Sequence, residues 1–295
     1  MADKLVRGNS DDGAIRVFAA ITTDLVNEAQ KIHGTYPVAT AALGRLLTGA
    51  AIMGAATLKN ETDSLTVQIK GEGDIKDMVA VTDCNSRVRG YISNPYIDRP
   101  LNKDGKLDVG GAVGGGYLSV IRDLGMREPY IGQIPLVSGE IADDLTYYYA
   151  KSEQVPTSIA LGVLVDTDGS VLAAGGFMIQ LMPEATEEMA EELEKLLKEI
   201  PPVTKMITDG LDAQDILFEI TYGFSMLCEN KAIEPKYECK CTRERMERAL
   251  ISIGKDELQS IIDEQGEAEM TCRFCDNKYH FTKEELEELL RQAKH

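Results

Sequence analysis

Short apolar runs set between turn residues dominate the first part of the chain. Ile15-Arg16-Val17-Phe18-Ala19-Ala20 predicts a strand. Residues 22–33 follow with helical spacing, with Thr23 or Asp24 placed to cap the helix. Tyr36-Pro37 breaks that pattern. Residues 39–58 predict a second helix, rich in alanine and carrying Gly44, Gly49 and Gly54. Small residues at that density let another backbone approach closely, which predicts a buried core helix. Alternation of period two takes over at residues 65–70, 78–82 and 87–92, the last two bracketing a turn at Asp83-Cys84-Asn85-Ser86. Residues 117–121 and 130–136 predict another pair. Residues 143–152 predict a helix, and 158–166 with 171–180 a strand pair around Thr167-Asp168-Gly169-Ser170. Antiparallel pairing with helices set to one side predicts an α+β core domain over residues 1–182.

The pattern changes at Pro183. Residues 184–199 carry seven acids and two lysines, while Met189, Leu193, Leu196, Leu197 and Ile200 fall on one helical face. Pro201-Pro202 stops this helix. A second amphipathic segment runs from Asp212 through Ile216, Leu217 and Ile220. The expectation is a helical linker over 183–230 packed on the core. If these helices are held only conditionally, Met189, Leu193, Leu196, Leu197, Ile216 and Leu217 become a binding surface on release. Residues 231–295 form a third region with helices at 242–253 and 256–263 and a short hairpin around 269–281. Thr282 and Glu285 form a capping box for a last helix through Leu286, Leu289 and Leu290. So few large apolar residues make a poor core, so metal is the expected staple.

That region holds the candidate chemistry. Cys239-Lys240-Cys241 is answered, after a spacer of thirty residues, by Cys272-Arg273-Phe274-Cys275. Four thiolates on two short loops suit a tetrahedral zinc ion. The C-x-x-C spacing is a common zinc knuckle. The C-x-C spacing is not, and its two sulfurs can leave a metal for each other in a small strained ring, the labile kind of disulfide. Metal that is lost on oxidation is the reading; a permanent structural zinc, two standing disulfides and plain buried thiols are the alternatives. Cys84 and Cys228 have no close-spaced partner and are expected to be free thiols. His280 is expected to be structural rather than a fifth ligand, and His33 to end its helix. No Ser-His-Asp pattern and no defensible carboxylate pair emerges. Gly110-Gly111-Ala112-Val113-Gly114-Gly115-Gly116 fits no phosphate loop, nor does Gly71-Glu72-Gly73-Asp74, and both predict turns.

The formal net charge of −18 over 295 residues opposes binding to nucleic acid or anionic membrane. Tryptophan is absent and aromatics are 6%, thin for base stacking. The N-terminal residues lack an apolar signal core, and the most apolar stretch, 41–58, is broken by Arg45. Paired cysteines without a signal predict a reducing, cytoplasmic compartment.

The four cysteines at this spacing resemble those of the redox-regulated heat-shock holdases, the 33 kDa chaperonins. The likeness extends to His33-Gly34-Thr35-Tyr36-Pro37 with Leu43-Gly44-Arg45, to Tyr91-Ile92-Ser93-Asn94-Pro95, to Ser152-Glu153-Gln154-Val155-Pro156, and to the stretches 174–183 and 281–286. It covers essentially the whole chain. The resemblance implies an ATP-independent, non-enzymatic chaperone, reduced and inactive with one zinc per chain on Cys239, Cys241, Cys272 and Cys275. It implies oxidation to Cys239–Cys241 and Cys272–Cys275 disulfides, zinc release, unfolding of a zinc-binding domain over 231–295, exposure of apolar surface to unfolding client proteins, and a homodimer when oxidised. A static zinc ribbon for nucleic acid and a thiol-disulfide oxidoreductase are the competing functions.

Overall fold

The computed structural model describes residues 2–292. Its contacts divide the chain into two compact units, Met1–Glu238 and Cys239–His295. In the first unit the strands and helices follow in the order β1 Lys4–Ser10, β2 Ile15–Ile21, α1 Thr23–His33, α2 Pro37–Thr57, β3 Ser64–Gly71, β4 Asp77–Thr82, β5 Arg87–Ile92 and α3 Val109–Val113. Then come β6 Gly116–Asp123, β7 Tyr130–Pro135, α4 Ile141–Tyr148 with a π-helical turn Tyr149–Glu153, β8 Thr157–Val165 and β9 Val171–Leu181. The unit ends with α5 Glu187–Glu199, α6 Val203–Thr208, α7 Ala213–Glu219, β10 Met226–Cys228 and β11 Lys236–Tyr237. Among the described residues these strands form a five-stranded sheet, β10-β1-β2-β9-β8, and a six-stranded sheet, β11-β5-β4-β3-β6-β7. All pairings are antiparallel except that of β11 with β5.

The α+β class follows from this pairing, but the helices are not confined to one side. The helix α2 touches strands of both sheets and lies between them. Its apolar residues point in every direction, so no single face could bury them. Leu43, Leu46, Leu47, Ile52 and Met53 join Phe18 and Met178 of one sheet and Val67, Met78 and Leu118 of the other in the main core. The close approach uses glycine. A Cβ on Gly44 would lie 2.6 Å from Val26, and one on Gly54 would lie 2.6 Å from Thr82 and 3.0 Å from the Asp83 carbonyl. This helix is long and apolar enough to cross a membrane, yet 94% of its apolar window is buried within the protein. It is a core helix by placement.

The first helix is capped from a distance. Asp3 accepts the amides of Asp24 at 3.0 Å and Leu25 at 2.8 Å, whereas neither Thr23 nor Asp24 caps and the hydroxyl of Thr22, at the N-cap, pairs with Thr48 at 2.7 Å instead of capping. Asp3 is 7% exposed. Burial pushes its carboxyl up to about 6, against the lowering effect of those amides. The folded state therefore keeps a proton that the unfolded chain loses near pH 4. The stability this contributes is full below about pH 4 and is lost as pH rises through about 6. Between pH 4 and 7 the wild type should lose up to about 3 kcal/mol that Asp3→Asn does not lose. Urea midpoints read this directly, and parallel pH slopes for the two proteins would exclude Asp3 as the titrating group.

The segment read as a linker is part of the first unit. On the outer face of the five-stranded sheet, Val6, Val17, Ala19, Phe177 and Ile179 are covered by Leu193 of α5, Val203, Met206 and Ile207 of α6, and Ile216 and Leu217 of α7. A capping box between Asp212 and Asp215 starts α7, and Lys4 of β1 bonds Asp212 at 3.1 Å. The short helix α6 was not visible in the sequence pattern. The boundary drawn at 231 also lies inside this unit. Ile233 bridges Leu5, and β11 docks through Lys236 N–H on Ser86 and Glu238 N–H on Val88. His33 is the last residue of α1 as expected, with Gly34 capping it in the left-handed region. Its ring Nε2 lies 2.9 Å from the Gly90 carbonyl and 3.1 Å from the Tyr237 hydroxyl. Part of the 110–116 glycine stretch is the helix α3 rather than a turn.

The second unit contains α8 Arg243–Ser252, α9 Lys255–Glu264, the hairpin β12 Ala268–Thr271 with β13 Lys278–Phe281, and α10 Lys283–Gln292. Thr282 and Glu285 form the anticipated capping box, with the Thr282 amide 2.9 Å from the glutamate. Among the described residues its apolar core holds six buried side chains, Leu250, Leu258, Ile262, Phe281, Leu286 and Leu289. Arg243 lies 4.4 Å over the Phe281 ring.

Candidate metal centre

Two loops bring the four cysteines together. Cys239 and Cys241 precede α8, whose first turn is fixed by Thr242 capping the Arg245 amide. Cys272 and Cys275 sit in the hairpin loop. There the Cys272 amide bonds Asn277 at 2.9 Å, and the Cys272 carbonyl accepts the amides of Cys275 at 3.3 Å and Asp276 at 2.8 Å. Asp276 turns the chain at φ 56°. The four sulfurs lie within 4.8 Å of one another. Cys239 is 3.7 Å from Cys272 and Cys241 is 3.3 Å from Cys275. Zinc held at about 2.3 Å by four tetrahedral sulfurs would set them about 3.8 Å apart, so this donor set fits a tetrahedral ion. All four are thiols, with Cys272 buried and the others half-buried.

The sulfurs are not equivalent. Burial pushes Cys239 up to about 11 and raises Cys275 further still. Burial acts on Cys241 in the same direction, but hydrogen bonds from Tyr279 and the neighbouring cysteines outweigh it and bring the thiol down to about 7. The Tyr279 hydroxyl stands 3.2 Å from Cys241 Sγ, and its own pKa is pushed up to about 12, first by that bond. Tyr279 was not singled out from sequence. His280, its neighbour, stays outside the cluster: its Nε2 lies 3.0 Å from Glu269 and the ring is 68% exposed.

A family model described as Hsp33 protein matches residues 3–282. The chain belongs to the Hsp33 family. The 33 kDa chaperonin of Clostridium beijerinckii is 50% identical over 295 residues, covering all of both chains. That of Acetivibrio thermocellus is 49% identical over 291 residues, 99% of this chain and 98% of that one. The crystal structure of an Hsp33 homologue from Thermotoga maritima matches with a TM-score of 0.90 at 40% identity, covering 99% of each chain. As an Hsp33 protein the chain is a chaperone with an α+β fold and a four-cysteine cluster able to hold a metal ion.

The other residues of interest lie elsewhere. Cys84 follows β4 and Cys228 ends β10; both are free thiols, raised chiefly by burial. Of the apolar linker residues, Leu193, Ile216 and Leu217 are buried, while Met189, Leu196 and Leu197 are half-buried. As folded, all of these but Leu196 pack in the cluster on the outer face of the five-stranded sheet.

Proposed function

We propose that this Hsp33 chain is an ATP-independent holdase, held inactive while its four cysteines are reduced and armed when peroxide-class oxidants convert them to two disulfides. The observation that carries the reading is the gathering of Cys239, Cys241, Cys272 and Cys275 beside a core of only six buried side chains. One zinc ion per chain, when bound, would keep the sulfurs as thiolates and staple the two loops. Sulfurs held in this way as thiolates, Cys241 among them, are the form that an oxidant attacks. Each pair of thiolates gives up two electrons as its S–S bond forms, and one peroxide per pair, taking two protons from solvent, becomes two waters. The sulfurs then no longer offer four donors, and residues 239–292 lose their staple. Release of α5 to α7 would bare the apolar face of the five-stranded sheet to unfolding client proteins. Cytoplasmic placement and dimerisation of the oxidised form belong to the same reading. The net charge of −18 argues against a nucleic-acid partner.

The test is suppression of thermal aggregation of a client protein by the reduced and the peroxide-treated forms, with disulfides mapped in the same samples. Activity confined to the treated form, with Cys239–Cys241 and Cys272–Cys275 bonds, is expected. Equal activity in the reduced form defeats the switch. The Cys239–Cys272 and Cys241–Cys275 sulfur contacts, at 3.7 and 3.3 Å, run between the loops, so bonds at those pairs are the specific alternative that mapping would expose.

A further inference from the structure

We propose that Tyr279 is a positioning residue that restrains oxidation of the Cys239-x-Cys241 pair. The inference rests on the redox reading above. It starts from strand alternation in β13. Lys278 and His280 both point to Glu269 on the exposed face of the hairpin, at 2.9 and 3.0 Å. Their neighbours must face the other way. Phe281 does so and is 1% exposed in the small core. Tyr279 does so at the level of the sulfurs, and its hydroxyl reaches Cys241 at 3.2 Å. Residues 272 and 275 already belong to this hairpin, whereas Cys241 arrives from a loop thirty residues earlier. The phenol therefore ties the first pair to the strand that carries the second.

A hydroxyl donating to a thiolate draws electron density from the lone pair that must attack an oxidant. It also fixes the direction in which that lone pair points, as outer groups do around metal-binding ligands. Oxidation of the first pair begins with Cys241 Sγ attacking one peroxide oxygen and expelling hydroxide, which leaves a sulfenic acid. Cys239 Sγ, also a thiolate, then attacks that sulfur and expels hydroxide, which solvent protonates to water as the S–S bond forms. Tyr279 opposes the first of these steps by occupying the attacking sulfur. Because it touches Cys241 and not the hairpin pair in this way, its effect is selective between the two disulfides.

The experiment uses the full reduced, zinc-loaded chain and Tyr279→Phe, which keeps the ring and removes the donor. Hydrogen peroxide is added, samples are quenched by alkylation, and each pair is followed by peptide mass spectrometry. The Cys239–Cys241 bond is expected to form about five-fold faster in the variant, the size set by loss of one hydrogen bond. The Cys272–Cys275 rate is expected to stay within about two-fold of the wild type. Unchanged rates for both pairs overturn the proposal, as does equal acceleration of both, which marks loosening of the whole unit. If Tyr279→Phe fails to fold, a fluorinated tyrosine placed at 279, a stronger donor, should slow the first pair; an unchanged rate there also overturns it. A wild type inert to peroxide sinks the redox reading and this inference together. A wild type that switches while the variant oxidises identically sinks only the role of Tyr279.

Discussion

Chelation of the reduced, zinc-loaded protein should unfold residues 239–292 and leave the first unit folded. Structural zinc contributes on the order of 10 kcal/mol in small modules. That is comparable with what six buried side chains supply together at about 1.5–3 kcal/mol each. Without it, two loops carrying four half-satisfied thiols have nothing to hold them against chain entropy. Hydrogen exchange resolves the two units. Amides around Leu250, Leu258, Ile262 and Leu286 should lose protection on demetallation, while those of α2, locked between two sheets, should keep it. A second unit that stays fully protected after complete metal removal would show that its own packing suffices.

The other large effect concerns α7. Ile216 is 0% exposed against the outer face of the five-stranded sheet. Ile216→Asp places a charge there with no designed partner, at a cost of several kcal/mol. The helix should undock, and the reduced variant should suppress client aggregation and bind a hydrophobic dye without any oxidant. Phe218→Asp is the control, because Phe218 lies on the same helix and is 42% exposed. It should leave the reduced protein inactive. A folded, reduced Ile216→Asp protein as inactive as the wild type would remove this sheet face from the client surface. Protection of α2 in the same sample distinguishes undocking from global unfolding.

How far the sequence foretells this molecule depends on the range of each interaction. The four cysteines were legible because ligand spacing is local and their chemistry is narrow. The strands β3, β5 and β6 were legible because each alternates over several residues, and β9 because it is a long apolar run after a turn signal. Apart from the seven-residue β1, which was also missed, what escaped was long-range or very short. The cap on α1 comes from Asp3, twenty-one residues before Asp24, and no local rule assigns it. The strands β10 and β11 have three and two residues, too few for a period to show. The helix α6 has six residues behind two prolines, below any periodic signal. Tyr279 could have been found by one further step: alternation along the strand that follows Cys275 puts it on the face opposite His280. The placement of α5 and α7 was half-read. Their amphipathic faces were plain, but the sheet they cover could not be named until β1, β2 and β9 were seen to share it.

Strand β9 is apolar on both sides, with Ala174 and Met178 turned toward α2 and Ala173, Phe177 and Ile179 toward α6 and α7. Such a strand keeps all its ladder bonds whether or not the outer helices are present. The sticky side is thus prefabricated, and uncovering it requires no refolding of the sheet. If oxidation arms the chain as proposed, infrared absorption from the strands should lose no more than the share of the short β12–β13 hairpin, and re-covering should be as quick as helices can settle, in microseconds to milliseconds, once the sulfurs are reduced again.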